Sequence, residues 1–161
     1  MSELLIRAAA PGDVPALGRL GAALLQLHHT TDPLRFFMPD APEAGYSWWF
    51  GRELENPDAV ILVAELKSVV VGYTYARLEE RDWNMLLDAH GALHDLYVVE
   101  SARRRGAGAE LLSATLTELD RRGAPRVVLS TMVTNQAAQR VFARFGFRPT
   151  MLEMTRERGG D

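Results

Sequence analysis

The chain has 161 residues, 47% of them hydrophobic, and 18 basic against 21 acidic side chains leave a formal charge of −3. That length fits one domain spanning residues 1–161, with enough chain to bury a substantial core. The acidic balance argues against a general nucleic-acid partner, and the absence of cysteine removes disulfides, thiolate metal sites and a cysteine nucleophile together.

The opening residues, MSELLIRAAAPGD, lack a basic region followed by a continuous apolar stretch, so no signal peptide is expected. Leu4 to Arg7 reads as a first strand. Asp13 suits the start of a helix in which Val14, Leu17, Leu20, Leu24 and Leu27 recur at helical spacing. Gly18, Arg19, Gly21 and Gln26 interrupt this tract, which is too short and too mixed to span a bilayer, so a cytoplasmic chain with no membrane partner is expected. His28 to Gly45 holds Pro33, Pro39 and Pro42 and predicts a loop. Tyr46 to Leu54 predicts a short helix whose Trp48 and Trp49 are expected in the core.

Ala59 to Leu66 and Val69 to Leu78, rich in branched and aromatic residues on either side of Lys67-Ser68, predict a β-hairpin. A loop carrying Trp83 leads to a strand over Ala92 to Val99. A helix then runs to about Arg122, where Gly123 and Pro125 stop it. Arg126 to Met132 predicts a strand, Asn135 to Phe145 a helix, and Phe147 to Thr155 a last strand. The order β-α-α-β-β-β-α-β-α-β describes an α/β or α+β fold, a mixed central sheet flanked by helices.

Between the strand at 92–99 and its following helix lies ESARRRGAGAELL. Strand, glycine turn, helix is an order that aims the unpaired N–H groups of a first helical turn beyond the strand end. Gly106 and Gly108 let a ligand approach the backbone, and Arg103, Arg104 and Arg105 offer charge-assisted bonds to phosphate. A Walker loop is excluded because this stretch holds no lysine, and a dinucleotide fingerprint because its third glycine position is Leu111. A solvated charge run fits the spacing equally well.

LYVVESARRRGAGAELL resembles the acetyl-CoA motif of the GNAT N-acetyltransferase superfamily, [Arg/Gln]-x-x-Gly-x-[Gly/Ala], here Arg103, Gly106 and Gly108. The later block NQAAQRVFARFGF is similar to that superfamily's second motif at Asn135, Ala138, Phe142, Gly146 and Phe147. The resemblance implies a GNAT-like acyl-CoA transferase fold and acetyl transfer from acetyl-CoA to a small-molecule or peptide amine. It implies that the backbone at Val98 and Val99 pairs with the pantetheine arm. The amides from Arg103 through Ala107 to Ala109 would hold the pyrophosphate, and Asn135 would contact the cosubstrate. Asn135 is equally a good helix cap. Many relatives carry a tyrosine acid where this chain has Phe142, which also falls on an apolar stripe with Ala138, Val141 and Phe145. Either the thiolate leaves without that acid, or the chain only binds acyl-CoA as a regulatory module. Dimers are frequent among relatives.

An amine must lose a proton to attack a thioester, so a base is needed. In LHDLYV the candidates are His94 and Asp95, positions at which the family's polyamine acetyltransferases carry acidic residues. Strand alternation places His94 with Leu96 and Val98, and Asp95 opposite with Tyr97. Histidine titrates near neutrality, as a base should. His28, His29, Asp32, Arg35 and Phe36 are expected nearer the acceptor. Adjacent histidines on a helix diverge by about 100°, and no metal is expected.

Overall fold

The computed structural model describes residues 3–159. Its strands are β1 (Leu4–Ala8), β2 (Ala59–Leu66), β3 (Val69–Glu79), β4 (His90–Val98) and β5 (Val127–Leu129). They form one sheet in the order β1-β2-β3-β4-β5, antiparallel throughout except that β5 runs parallel to β4. The helices are α1 (Val14–Thr31), α2 (Pro42–Glu53), α3 (Ala107–Arg121) and α4 (Gln136–Arg144). This is the mixed sheet flanked by helices that the pattern predicts.

One face of the sheet packs on α1 and α2 through Leu17, Leu20, Phe50, Ile61, Val63, Tyr73 and Tyr75. Phe50, fully buried, meets Tyr73 and Tyr75 edge-on at 5.5 and 5.8 Å and stacks on Tyr46 at 5.9 Å. Each such aromatic pair contributes about 0.5–1.5 kcal/mol beyond area burial. Gly21 makes room for Tyr46, since a Cβ there would lie 2.6 Å from its ring. The opposite face packs on α3 through Ala64, Val98, Ala107 and Leu111, and further along through Leu93, Leu112 and Leu119. A buried hydrogen bond between Thr74 and Thr115 (2.7 Å) crosses that interface.

Several boundaries differ from expectation. α1 continues to Thr31, so His28 and His29 are helical, and α2 begins at Pro42, where a first-turn proline sacrifices no helical hydrogen bond. Trp48 is 63% exposed, with the Arg52 guanidinium 5.0 Å over its ring, and Trp49 also lies outside the core clusters. β5 is only three residues long. Phe147 to Thr155 is not a strand: residues 148–158 make no backbone–backbone hydrogen bond to another segment. So short a β5 offers little edge to pair with, and Pro149 removes a donor. The segment is tied instead by an ion pair between Arg35 and Glu153.

Candidate active site

The site begins with a register shift. Tyr75 pairs with Asp95, but the next residue, Ala76, pairs with Leu93, so His94 is the extra residue of a β-bulge. Simple alternation would send His94 to the α3 face. Instead its ring stacks on Tyr75 at 5.4 Å, on the α1–α2 side, where Asp95 also lies. The bulge therefore brings His94 and Asp95 to one face, correcting the alternation expected from sequence.

The same point ends the pairing of β4 with β5, which covers only Gly91 to Leu93. From His94 to Val98, β4 has no strand on that side among the described residues. The Val99 N–H donates to Val71 on β3 (2.8 Å), and alternate residues share a direction, so Leu96 and Val98 point their peptide groups to the open side. The Val98 carbonyl already accepts from Arg103 Nε (2.9 Å), and that guanidinium lies 5.7 Å from the Tyr97 ring. Val99 is thus engaged through both its N–H and its carbonyl, and the Leu96 peptide group and the Val98 N–H make up the open edge.

The open edge leads to the N-terminus of α3. Residues 100–105 form a 3-10 turn, and Gly106 adopts φ +82°, a left-handed conformation that costs a side-chain-bearing residue energy. No backbone acceptor exists among the described residues for the N–H groups of Ala107, Gly108 and Ala109. A Cβ on Gly108 would sit 3.9 Å from Val98, so that position is open rather than crowded. Arg104 and Arg105 are exposed. Free amides at a helix N-terminus beside cationic side chains suit a phosphate group, and these residues fit the diphosphate of coenzyme A.

Asp95 is partly buried and accepts one hydrogen bond, from the fully buried Tyr73 hydroxyl (2.8 Å). Burial raises its pKa above the usual carboxylate value, while the Tyr73 bond and the charges of His94 and His28 pull the other way. Burial and then Asp95 push the Tyr73 hydroxyl well up and Tyr46 to about 12, so both remain protonated donors. His94 is exposed, with Nε2 3.3 Å from Glu79 Oε1. A carboxylate only accepts, so that contact puts the proton on Nε2 and leaves a lone pair on Nδ1.

The remaining predicted residues are dispersed. Asn135 caps α4, accepting from the Ala138 N–H (3.1 Å), and Phe142 packs on Phe147 at 5.8 Å, beside Val141 and Phe145. His28, His29, Asp32, Arg35 and Phe36 gather at the end of α1. His28 touches the Phe36 ring edge-on at 4.8 Å, His29 Nδ1 lies 2.7 Å from the Phe36 carbonyl, and Asp32 accepts from the Arg35 N–H. Sequence reasoning passed over Tyr73, Tyr75, Arg77 and Glu79, although they recur at every second position of β3, the spacing of one sheet face. Among the described residues, no three His, Asp or Glu side chains converge as a metal site, and no helix is long and apolar enough to cross a membrane.

The acetyltransferase (GNAT) family model matches residues 22–147. The chain belongs to the GNAT family. It is 34% identical over 112 residues to the uncharacterized N-acetyltransferase YhfO of Bacillus subtilis (strain 168), covering 70% of this chain and 74% of that protein. An N-alpha-acetyltransferase of Sulfurisphaera tokodaii is 30% identical over 112 residues, covering 66% and 67%. A solved structure of a probable acetyltransferase shares the GNAT fold at TM-score 0.73 and 22% identity, covering 98% and 99% of the two chains. The chain is accordingly an acetyltransferase.

Proposed function

We propose that this GNAT chain transfers the acetyl group of acetyl-CoA to a primary amine of a small molecule or peptide, directly, in a ternary complex. The observation that carries this reading is the bulge at His94, placed where β4 parts from β5 and in line with the N-terminus of α3. The five open residues span about 16 Å at ~3.3 Å each, room for an extended pantetheine arm. Its diphosphate would meet the amides of Ala107, Gly108 and Ala109, with Arg104 and Arg105 adding charge. Its thioester would then lie toward His94 and Asp95.

His94 Nδ1 takes one proton from the acceptor's ammonium group. The freed amine nitrogen bonds to the acetyl carbon as the C–S bond breaks with its pair going to sulfur, and the second proton the nitrogen gives up ends on the thiolate. Asp95, a carboxylate with a single hydroxyl partner, attracts the ammonium form of the acceptor before that step. A thiol of pKa ~8.5 is a tolerable leaving group near neutral pH, so Phe142 in place of a tyrosine acid is compatible with turnover. Holding both reactants on one sheet face supplies much of the remaining acceleration.

Thiol release from acetyl-CoA, measured against polyamines, aminoglycosides, amino acids and peptide amino termini, tests the reading. Turnover with at least one amine is expected, and His94→Gln should lower kcat by ~10²–10⁴-fold. Tight acetyl-CoA binding with no release for any amine would overturn it.

A further inference from the structure

His94 is exposed and sits on a bulge, two conditions under which an imidazole samples many orientations. Two neighbours restrain it, and a third acts through them. The Tyr75 ring forms its floor, stacked at 5.4 Å with an interplanar angle of 25°. Glu79 Oε1 lies 3.3 Å from Nε2. Arg77 stands between Glu79 and Glu53, with Nε 3.9 Å from Glu79 Oε1 and 3.8 Å from Glu53 Oε2, and that nitrogen is buried without a hydrogen-bond partner. Glu53, itself buried at the end of α2, accepts the Tyr75 hydroxyl at 2.6 Å. One carboxylate on α2 thus braces both the floor beneath His94 and, through Arg77, the group that holds its edge.

We propose that Glu79 is the positioning residue of the acetyl transfer: it fixes the His94 tautomer with the proton on Nε2 and the lone pair on Nδ1, and it compensates the imidazolium formed when Nδ1 takes the amine proton. This rests on the reading of His94 as the base. Arg77 keeps Glu79 aimed by offsetting its charge against that of Glu53, and its distances to both are too long for hydrogen bonds, so its part is electrostatic. The arrangement follows the general logic of a base oriented by a third group. The groups acting on His94 are Tyr75 and Glu79 from β3 and Asp95 from β4, with Arg77 and Glu53 bearing on it through Glu79 and Tyr75 and His28 of α1 acting on Asp95. Of these, only Glu79 contacts a ring nitrogen.

Glu79→Gln, Glu79→Ala and His94→Gln, each checked for an unchanged melting profile, are compared in kcat, KM and the pH profile of kcat/KM for the best acceptor. Glu79→Ala removes both alignment and charge and should lower kcat by about 10–100-fold with KM for acetyl-CoA unchanged. Glu79→Gln keeps an oxygen that accepts from Nε2 but removes the charge. It should retain more activity than the alanine variant and shift the acidic limb of the profile to lower pH, because the imidazolium loses its counter-charge. A merely structural glutamate would move neither the limb nor the kcat-to-KM split. If His94→Gln is slow while both Glu79 variants match the wild type in kcat and limb, the positioning role is overturned and the base stands. If His94→Gln is itself as fast as the wild type, the base assignment fails and the role of Glu79 fails with it.

Discussion

Two aspartates in different corners of the molecule are treated in opposite ways. Asp13, at the start of α1, is 8% exposed and accepts two Arg7 N–H bonds (2.7 and 3.0 Å) and the Ala10 N–H (2.7 Å). The hydrogen bond from Arg7 holds its carboxyl below the ordinary value despite burial. Asp95 has one neutral hydroxyl partner, and burial wins, raising its pKa. A fully partnered carboxylate locks β1 to α1. An underpartnered one at the β4 bulge retains the capacity to bind a cation, at a cost in stability. Stability and acceptor recognition are assigned to different carboxylates.

Breaking the first corner should have the largest effect on stability. Asp13→Ala leaves the Ala10 N–H without its acceptor and the Arg7 guanidinium with Glu65 as its one carboxylate partner, a loss of about 2–4 kcal/mol. At ~2–4 °C per kcal/mol for a chain of this size, Tm should fall by roughly 5–15 °C in a calorimetric melt, while kcat at 25 °C stays unchanged. Tyr73→Phe comes next: it leaves Asp95 without a donor and should cost ~1.5–3 kcal/mol in a urea titration at neutral pH, together with a raised KM for the amine. Asp95→Asn has the opposite sign. Removing an underpartnered buried charge should stabilise the fold by ~1 kcal/mol, about 2–4 °C in Tm at pH 8, while amine KM rises at least tenfold.

The smallest effect is a pH dependence that separates the two residues by sign. Asp13 has a lowered folded-state pKa, so its stabilisation is present above the ordinary carboxyl value of 3.8 and is lost as pH falls through the folded value. Asp95 has a raised one, so the folded state binds its proton more tightly, and its cost appears as pH rises from 3.8 through the folded value. The Tm gain of Asp95→Asn should therefore shrink toward pH 4. The Tm loss of Asp13→Asn should persist at pH 5 and fade only at stronger acidity. Parallel pH trends in the two variants would refute the contrast.

The glycine-turn end of the site was legible because its information is local. Gly106 needs φ +82°, Asn135 caps the helix that its neighbours encode, and the spacing of these residues along the chain carries the family resemblance. The bulge was not legible, because it is a property of the register between β3 and β4, which a one-strand pattern omits. Alternation alone put His94 on the wrong face for that reason. The Tyr73, Tyr75, Arg77, Glu79 line was visible as a period of two, but its polar members gain meaning only once Glu53 arrives from α2. At the other end of the chain, the apolar run around Met151 and Leu152 favoured a strand, yet strand formation needs a partner, and β5 stops at Leu129.

Calorimetric titration of acetyl-CoA into the wild-type chain and Gly108→Phe tests most directly whether the open β4 edge and the α3 terminus seat the cosubstrate. Gly108 has room for a Cβ and no positive φ, so the variant should fold with an unchanged Tm. The account predicts saturable binding of one acetyl-CoA to the wild type and at least a tenfold weaker affinity in the variant. Equal affinity in both proteins would place the nucleotide elsewhere and contradict it.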